Sequence, residues 1–448
     1  MLLLWPALLN GYPLVFADTG TYLSQVVERH LGWDRPVFYA LFILPLHLTL
    51  TTWPVIIAQA VLTVLVLRVA LRAFAGSTRY LGPMVAMLAV LTGLPWVTSD
   101  LIPDFATALL TIVLALLVVV PDRLGRREVW VLALLAGALI VVHLSNLLLA
   151  PLLLCVLVPL RRRLGARAPL GAWGLLRAAG PVAAAALALA TVNLLGHGRF
   201  SPSPYGNVFV LTRSLYDGPA MDALRRHCAQ QPWRLCVLLH EGLPASSDEF
   251  LWQPSSPLYA VGGPKLVSAE AGAILHAALR DEPLAVLGHA LRDLVRQLGM
   301  ADTGDGLEAW PGPVTPVIHR DFPPAEARRY DAARQTLGHL RVADWLQAMH
   351  RVALALGVLA TLAAIAAAVH RRNPVAALCV ATLICLLGNA AITGALSGPH
   401  NRYQSRIAWL AGFAPLTAGL ALGRGDRPLR LSQSRGPVPA DAAAPSAL

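Results

Sequence analysis

The chain has 448 residues, of which 56% are hydrophobic and only 14% are charged, and its formal net charge is +11. Soluble proteins carry about 25% charged residues, so this composition excludes a soluble globular protein and predicts an all-α polytopic membrane protein. The positive charge comes from arginines scattered between apolar segments, with Lys265 as the one lysine, which is typical of loops beside anionic membrane lipids and argues against nucleic-acid binding.

Ten apolar segments are candidates for membrane spans, each of which needs about 17–25 residues. They lie near 1–16, 53–73, 81–97, 104–121, 128–143, 147–160, 173–196, 346–370, 374–396 and 406–423. The first has no charged residues before it, which favours a span over a signal peptide. The stretch 36–50 fits a re-entrant or interfacial helix. The stretch 128–160 forms either two short helices or one long tilted helix.

The arginines are distributed unevenly between the two sides of these spans. Seventeen lie in the loops after spans two, four, six and eight and in the C-terminal tail, against four in the short loops on the other side. Because cytoplasmic loops are enriched in arginine and lysine, both termini are expected in the cytoplasm. A single helix over 128–160 would place Arg161–Arg163 outside, so the count favours two helices.

This topology divides the chain into four parts. Residues 1–196 form an N-terminal membrane core whose first external loop is 17–36, and 197–345 form a mostly helical external domain. Residues 346–423 form the C-terminal spans, and 424–448 are expected to be a disordered cytoplasmic tail. Within the external domain, Asp281-Glu-Pro283 predicts the start of a helix that ends near Leu298.

Two cysteines, Cys228 and Cys236, lie in the external domain. Their C-x7-C spacing has no histidine partners and is a poor zinc motif. A disulfide suits an oxidising compartment, and two free thiols are the alternative.

Acidic residues mark the first two external loops. Asp18 lies close to the outer end of the first segment, where a carboxylate can act as a general base, hold a cation or cap a helix. Asp34 and Arg35 form a local pair, or Arg35 contacts a ligand. Asp100 and Asp104 flank a proline and are either helix caps or carboxylates of a cavity that can bind a divalent cation.

Two later external turns also carry polar residues. His143 and Asn146 interrupt apolar sequence, and polar groups at membrane depth are costly unless they are satisfied or functional. The last external loop contains Arg402 and Arg406, four residues apart, beside His400 and Tyr403. The planar guanidinium group matches phosphate oxygens, so this loop is a candidate anion site. The alternative is that the arginines extend towards external lipid head groups.

No nucleotide-binding or zinc-protease motif is present in the sequence, which argues against the direct use of cytoplasmic ATP or of a nucleotide sugar. Asp18 in the first external loop, Arg402-Tyr403 near a late span and the many spans resemble the GT-C superfamily of integral-membrane glycosyltransferases. That resemblance implies an inverting glycosyltransferase of the bacterial inner membrane, with a polyprenyl-phosphate-linked sugar as donor and a glycan, lipid or protein as acceptor.

The resemblance also assigns roles to residues. It implies that Asp18 is the catalytic residue and that Arg402 and Tyr403 bind the donor phosphate, with Arg406, His400 and Arg35 as further phosphate ligands. Many members have paired acids in the first loop, whereas here Asp18 stands beside Thr19, so a requirement for Mg²⁺ or Mn²⁺ stays open. A secondary transporter or flippase of an anionic or lipid-linked substrate and a non-catalytic envelope-assembly scaffold are the rival functions.

Overall fold

The computed structural model describes residues 1–164 and 171–423. Arg167 and the predicted cytoplasmic tail, 424–448, lie outside the described residues. Within the described ranges the chain is helical, with no β-strand and one isolated bridge between Leu14 and Asp100. This confirms the all-α class.

Twenty-three α-helices are found in the described residues, together with 3₁₀ turns at Leu2–Leu4, Pro121–Arg123 and Arg234–Val237. The N-terminal part contains α1 (Trp5–Asn10), α2 (Ala17–Val27), α3 (Val37–His47), α4 (Trp53–Ala75), α5 (Leu81–Leu91), α6 (Leu94–Ser99), α7 (Phe105–Val119), α8 (Arg126–Val141), α9 (Leu144–Arg163) and α10 (Ala172–His197). The polar segment contains α11 (Gly206–Asp217), α12 (Pro219–His227), α13 (Leu238–Glu241), α14 (Ser247–Trp252), α15 (Pro257–Ala260), α16 (Gly263–Asp281), α17 (Pro283–Gly299), α18 (Thr315–Asp321) and α19 (Pro324–Asp331). The C-terminal part contains α20 (Asp344–His370), α21 (Val375–Leu396), α22 (Asn401–Ala408) and α23 (Leu410–Leu422).

Six helical stretches of the described chain are long and apolar enough, by length and composition, to cross a membrane. They are α4, α9, α10, α20, α21 and the nearly continuous pair α22–α23, and each coincides with one of the ten predicted segments. Large apolar side chains on their outer faces, such as Val61, Leu187 and Leu359, are exposed, as expected for a surface in contact with lipid. The chain is therefore a helical membrane protein.

Two of the remaining predicted segments are broken rather than continuous. In segment 1–16 the helix α1 ends at Gly11, whose φ of 83° is left-handed, and the following residues are extended. Six residues of helix rise only about 9 Å, so this segment does not form a span on its own. Segment 81–97 divides into α5 and α6 because Thr92 is extended and Pro95 begins a new helix.

Segment 104–121 forms a shorter helix in the interior, and segment 128–160 forms two helices, the second of which is one of the six long stretches. The helix α7 has 15 residues, of which nearly all are buried, and it packs against α4, α8, α9 and α21. The stretch 128–160 contains two helices, α8 and α9, separated at Val142–His143, which confirms the two-helix interpretation. The stretch 36–50 contains the separate helix α3, which ends at Leu48 in a left-handed conformation.

Contacts between the membrane helices rely on small residues, since lipid tails are as apolar as leucine and give little hydrophobic drive to helix association. A Cβ atom on Gly357 of α20 would lie 2.6 Å from the carbonyl oxygen of Ala411 in α23. A Cβ atom on Gly394 of α21 would lie 2.7 Å from the carbonyl oxygen of Asp293 in α17. Glycine is needed at both positions because the backbones approach so closely.

The polar segment between α10 and α20 contributes to two hydrophobic cores. Helices α11, α12, α14 and α16 bury a core of their own, which includes Leu211, Phe250 and Ile274. This unit also holds the disulfide between Cys228 and Cys236, with a Cα–Cα distance of 5.8 Å, as predicted. In contrast, α18 and α19 pack with the membrane core, and the helix predicted to begin at Pro283 is α17.

Candidate functional site

The first external loop is fixed in place by its own backbone. Phe16 occupies the N-cap position of α2, and its N–H donates to Thr19 Oγ1 over 2.9 Å. The Leu14 N–H donates to the Ser99 carbonyl, and the Leu101 N–H donates to the Leu14 carbonyl, each over 2.9 Å. These bonds place the start of α2 beside the loop that precedes α7. The alternative of Asp18 as N-cap is wrong, because the helix begins at Ala17, so Asp18 lies in its first turn and its side chain bonds to other partners.

Asp18 lies between two arginines that come from distant parts of the sequence. Its Oδ1 accepts a hydrogen bond from Arg35 Nη2 at 2.7 Å, and its Oδ2 accepts one from Arg402 Nη1 at 3.2 Å. Burial acts to raise the pKa of Asp18, but Arg35 and Arg402 outweigh burial and hold that pKa below its usual range. Asp18 is therefore an ionised carboxylate at neutral pH.

Arg35 and Arg402 are themselves held by further contacts. The Arg35 guanidinium lies 3.8 Å from Asp34 Oδ2 and over the ring of Trp252. The Arg402 guanidinium lies 3.4 Å from Asp104 and 3.9 Å from the ring centroid of Phe16. The local pair of Arg35 with Asp34 is confirmed, and the predicted ligand role of Arg35 stays a prediction.

Arg406 lies deeper than Arg402 and is fully buried, with 0% of its side chain exposed. It donates to Asp104 Oδ1 at 2.9 Å, to Asn389 Oδ1 at 2.8 Å and to Ser145 Oγ at 3.2 Å. Neither arginine extends to external lipid head groups, so that alternative is wrong. The expected loop placement is also corrected, because both arginines are on the helix α22 and point into the protein.

His143 is the fourth partner of Arg406. Its Nε2 accepts a hydrogen bond from Arg406 Nη1 at 2.7 Å, because a guanidinium group can only donate. The ring proton is therefore on Nδ1, which lies 2.8 Å from Ser145 Oγ. His143 is thus a neutral imidazole that lines the cavity described below.

Asp100 and Asp104 do not act as helix caps. Asp104 occupies the N-cap position of α7, but its side chain makes no capping bond and instead contacts Arg402 and Arg406. Asp100 lies at the end of α6, and its buried Oδ1 has no hydrogen-bond partner. Burial and the nearby charge of Asp104 raise the pKa of Asp100 to about 8.

Four predicted site residues do not line the cavity: Asp100 and Arg406, described above, and Asn146 and His400, which have other contacts. Asn146 donates to the Leu139 carbonyl at 2.8 Å, so it satisfies the backbone where α8 ends and α9 begins. The backbone of His400 is bonded to the side chain of Gln297, and its ring packs against Tyr403 instead of lining the cavity. Both residues are structural because the chain turns at these points.

The cluster lines one cavity of about 440 Å³, within the range of about 300–1,000 Å³ that is usual for ligand sites. Part of its lining is charged and polar and consists of Asp18, Asp34, Arg35, Asp104, His143, Arg402 and Tyr403. Another part is apolar and belongs to the membrane helices α9 and α21, with Leu144, Leu147, Leu148, Ile392 and Leu396. The cavity therefore suits a ligand that has both an anionic and an apolar part.

Sequence analysis missed several members of the site. Asn389 is buried in the middle of α21 and contacts Arg406. A polar amide within an apolar span is a signal that could have identified it. Phe16 under Arg402 and Tyr22 in the cavity wall carry no such signal, since aromatic residues are ordinary near a membrane surface.

A divalent cation has no suitable ligand set here. Among the described residues, no group of three or more histidine, cysteine, aspartate or glutamate side chains could hold a metal ion. The closest acids, Asp18 and Asp104, are each paired with arginines, whose charge repels a cation. The residues present do not fit the Mg²⁺ or Mn²⁺ site left open by the sequence.

Comparison with known protein families, with characterised proteins and with solved structures found no match to this chain. Fold and site together define an all-helical membrane protein with an arginine–aspartate cluster in the wall of a cavity.

Proposed function

We propose that this protein is a membrane glycosyltransferase that transfers a sugar from a polyprenyl-phosphate donor to an envelope acceptor. The observation that carries the proposal is the ionised Asp18 between Arg35 and Arg402, in a cavity that is also lined by apolar side chains of two membrane helices. A phosphate needs cations, a polyprenyl chain needs an apolar surface, and a hydroxyl nucleophile needs a base. The cavity of 440 Å³ contains groups that satisfy all three requirements.

The donor phosphate is expected at Arg402. This guanidinium lines the cavity and has two acidic partners, Asp18 and Asp104, so it can exchange one of them for a phosphate oxygen. Tyr403 lines the same wall, with its hydroxyl 3.3 Å from Ser397 Oγ, and can donate a hydrogen bond to the phosphate. The polyprenyl chain then lies along Leu144, Leu148 and their neighbours on α9 and α21.

Binding of the phosphate prepares Asp18 for its role. When a phosphate takes Arg402, Asp18 loses a partner that lowers its pKa, so its basicity rises. Asp18 then accepts the proton of the acceptor hydroxyl while that oxygen attacks the anomeric carbon of the donor sugar. The bond from this carbon to the phosphate oxygen breaks, its electron pair leaves with the phosphate, and Arg402 neutralises the charge that develops there.

The proposal places the cavity on the outer face of a bacterial inner membrane, with both termini in the cytoplasm. Support comes from the excess of arginines in the loops of the opposite side and from the disulfide in the polar segment, which suits an oxidising compartment. The proposal also includes a GT-C-like arrangement of about ten membrane segments. The six long helical stretches form six of them, and the shorter helices contribute to the others.

The test compares binding with transfer in the purified protein. Undecaprenyl phosphate serves as the binding probe, and undecaprenyl-phosphate sugars with a labelled sugar serve as donors to a membrane extract that contains acceptors. Asp18→Asn keeps the shape of the side chain, so it is expected to bind the probe and lose transfer by about 10²–10⁴-fold. Arg402→Gln is expected to lose both.

Arg351→Gln is the matched control, because Arg351 also pairs with an aspartate, Asp302, but lies outside the cavity and is exposed. It should bind and transfer like the unchanged protein. Full transfer by the folded Asp18→Asn protein would overturn the catalytic role of this residue, and full binding by Arg402→Gln would overturn the phosphate site.

A transporter of an anionic lipid is the second candidate, and the apolar wall formed by two membrane helices favours it equally. Such a protein would bind undecaprenyl phosphate and move it between the leaflets of a liposome, and no sugar would be transferred. A scaffold in envelope assembly would do neither. The same binding and transfer measurements therefore separate the three functions.

A further inference from the structure

The helix α17 has its apolar side on the outside of the protein. Leu284, Leu287, Leu291 and Val295 recur at helical spacing and are 82%, 56%, 54% and 67% exposed. They form one continuous stripe along the helix, and we call this the α17 stripe. An amphipathic helix on a soluble domain would turn such a stripe towards the core, so this orientation needs an apolar environment outside the chain.

The opposite face of α17 is polar and buried. Asp293 is 1% exposed and accepts two hydrogen bonds from Arg213, at 2.9 and 2.6 Å. Gln297 is completely buried, and its side chain binds both the N–H and the carbonyl of His400. These specific bonds fix the rotation of α17, so the outward direction of the stripe is a built feature of the fold.

The position of α17 along α21 shows where the stripe lies. The Asp293 carbonyl lies against Gly394 in the last turn of α21, and Gln297 binds His400, four residues beyond the end of that helix. The helix α17 also packs extensively against α21, which is long and apolar enough to cross a membrane. Leu387 on the surface of α21 is exposed as well.

Basic residues flank the stripe. Arg292 and Arg296 are exposed on α17, one helical turn apart, and Arg292 donates to Asp217 at 2.8 Å. An apolar stripe with a basic edge suits an anionic bilayer, with the apolar residues among the acyl chains and Arg296 near the phosphates.

We infer that α17 is a membrane-bound helix that packs against α21 with its stripe in the outer leaflet, although its sequence belongs to the polar segment. The bilayer is the occupant that the structure favours over a protein partner, because the stripe continues the lipid-facing surface of α21 and carries a basic edge. This inference does not depend on the proposed glycosyltransferase activity.

The position of α17 has a consequence for the cavity. Gln297 binds the backbone of His400, which is the N-cap residue of α22, and Arg402 lies in the first turn of that helix. The helix α17 thus supports the turn that precedes α22, the helix that carries Arg402 and Arg406. Gln297 is a positioning residue in this arrangement, since it does not line the cavity.

The test uses the full chain in liposomes of phosphatidylethanolamine and phosphatidylglycerol. The exposed Cys155 is first replaced by serine, and Leu287→Cys is then labelled with a nitroxide. Power-saturation electron paramagnetic resonance compares collisions with oxygen, which concentrates in lipid, and with a nickel chelate, which stays in water. Leu291→Cys is the second position if the first variant does not fold.

Two matched positions calibrate the measurement. Val352→Cys is on the outer face of the membrane helix α20, and Ser255→Cys is in an exposed polar loop. The label at 287 is expected to match 352, with an oxygen-to-nickel ratio several times that at 255. A ratio equal to that at 255 would overturn the inference. Protection from both reagents would also overturn it, and spin–spin broadening that grows with protein density would identify a second copy as the occupant.

Discussion

Arg402 and Arg406 are one helical turn apart, yet only Arg402 is placed to contact a ligand in the cavity. Arg402 lines the cavity, so it can exchange an aspartate for a ligand. Arg406 is enclosed by Asp104, His143 and Asn389 and does not line the cavity. Arg406 therefore stabilises the fold and the orientation of Asp104, and the proposed function assigns the donor phosphate to Arg402.

The first prediction concerns this buried cation. Arg406→Gln leaves Asp104 ionised without its closest partner, and loss of one member of a buried pair costs about 3–5 kcal/mol. We expect the free energy of unfolding in mixed micelles to fall by that amount. Arg351→Gln removes an exposed pair with Asp302 and should leave the stability nearly unchanged, because water screens exposed ion pairs. Equal losses in the two variants would contradict the structural role of Arg406.

The second prediction concerns pH and Asp100. In the folded chain Asp100 keeps its proton up to pH about 8, whereas in the unfolded chain it loses the proton near its ordinary pKa of 3.8. Between these values the folded state holds one proton more, so stability falls as the pH rises, by at most about 1.4 kcal/mol per pH unit. Asp100→Asn cannot titrate and removes this contribution.

The measurement is the midpoint of thermal unfolding at pH 5.5 and at pH 8 in the same detergent. The unchanged protein should lose more stability over this interval than Asp100→Asn. If both proteins lose the same amount, Asp100 is ionised in the folded chain at pH 7, and its unpartnered Oδ1 does not mark a protonated carboxyl group.

At the scale of elements, the sequence predicts long apolar helices well and short ones poorly. The spans α4, α10, α20 and α21 agree with their predicted segments to within about three residues. A long apolar run in a bilayer has to form a helix, because only a helix satisfies its backbone hydrogen bonds within the segment. Segment 1–16 is as apolar, but Gly11 and the pairing of Leu14 with the loop at Asp100 break it. This pairing joins Leu14 and Asp100, which are more than 80 positions apart in the sequence, so the sequence near Leu14 does not predict it.

The third prediction concerns the contact between α17 and α21. Gly394→Ala places a methyl group 2.7 Å from the Asp293 carbonyl, so the two helices have to separate, at a cost of about 1–3 kcal/mol. Gly272→Ala in α16 meets no atom within 4 Å and replaces a poor helix former, so it should stabilise by about 0.5–1 kcal/mol. Chemical unfolding of both variants checks the opposite signs.

At the scale of the whole molecule, the site joins three regions that are far apart in sequence. Asp18 and Arg402 are 384 positions apart, and Asp104 comes from a third loop. Composition and loop position identify each of these residues as unusual at a membrane surface, since charges there have a cost. They do not identify the partners, because which acid meets which arginine depends on the packing of α2, α7 and α22. The candidate residues were therefore predictable, whereas the separate roles of Arg402 and Arg406 were not.

The last prediction concerns the orientation of the molecule, on which the donor depends. A polyprenyl-phosphate sugar is needed only if the cavity faces away from cytoplasmic nucleotide sugars. In the Cys155→Ser background, Ser255→Cys in the polar segment should react with a membrane-impermeant maleimide in intact spheroplasts. Asp122→Cys, in the exposed loop between α7 and α8, should react only after permeabilisation. The reverse pattern would place the cavity in the cytoplasm, and a lipid-linked donor would then have no advantage over a soluble nucleotide sugar.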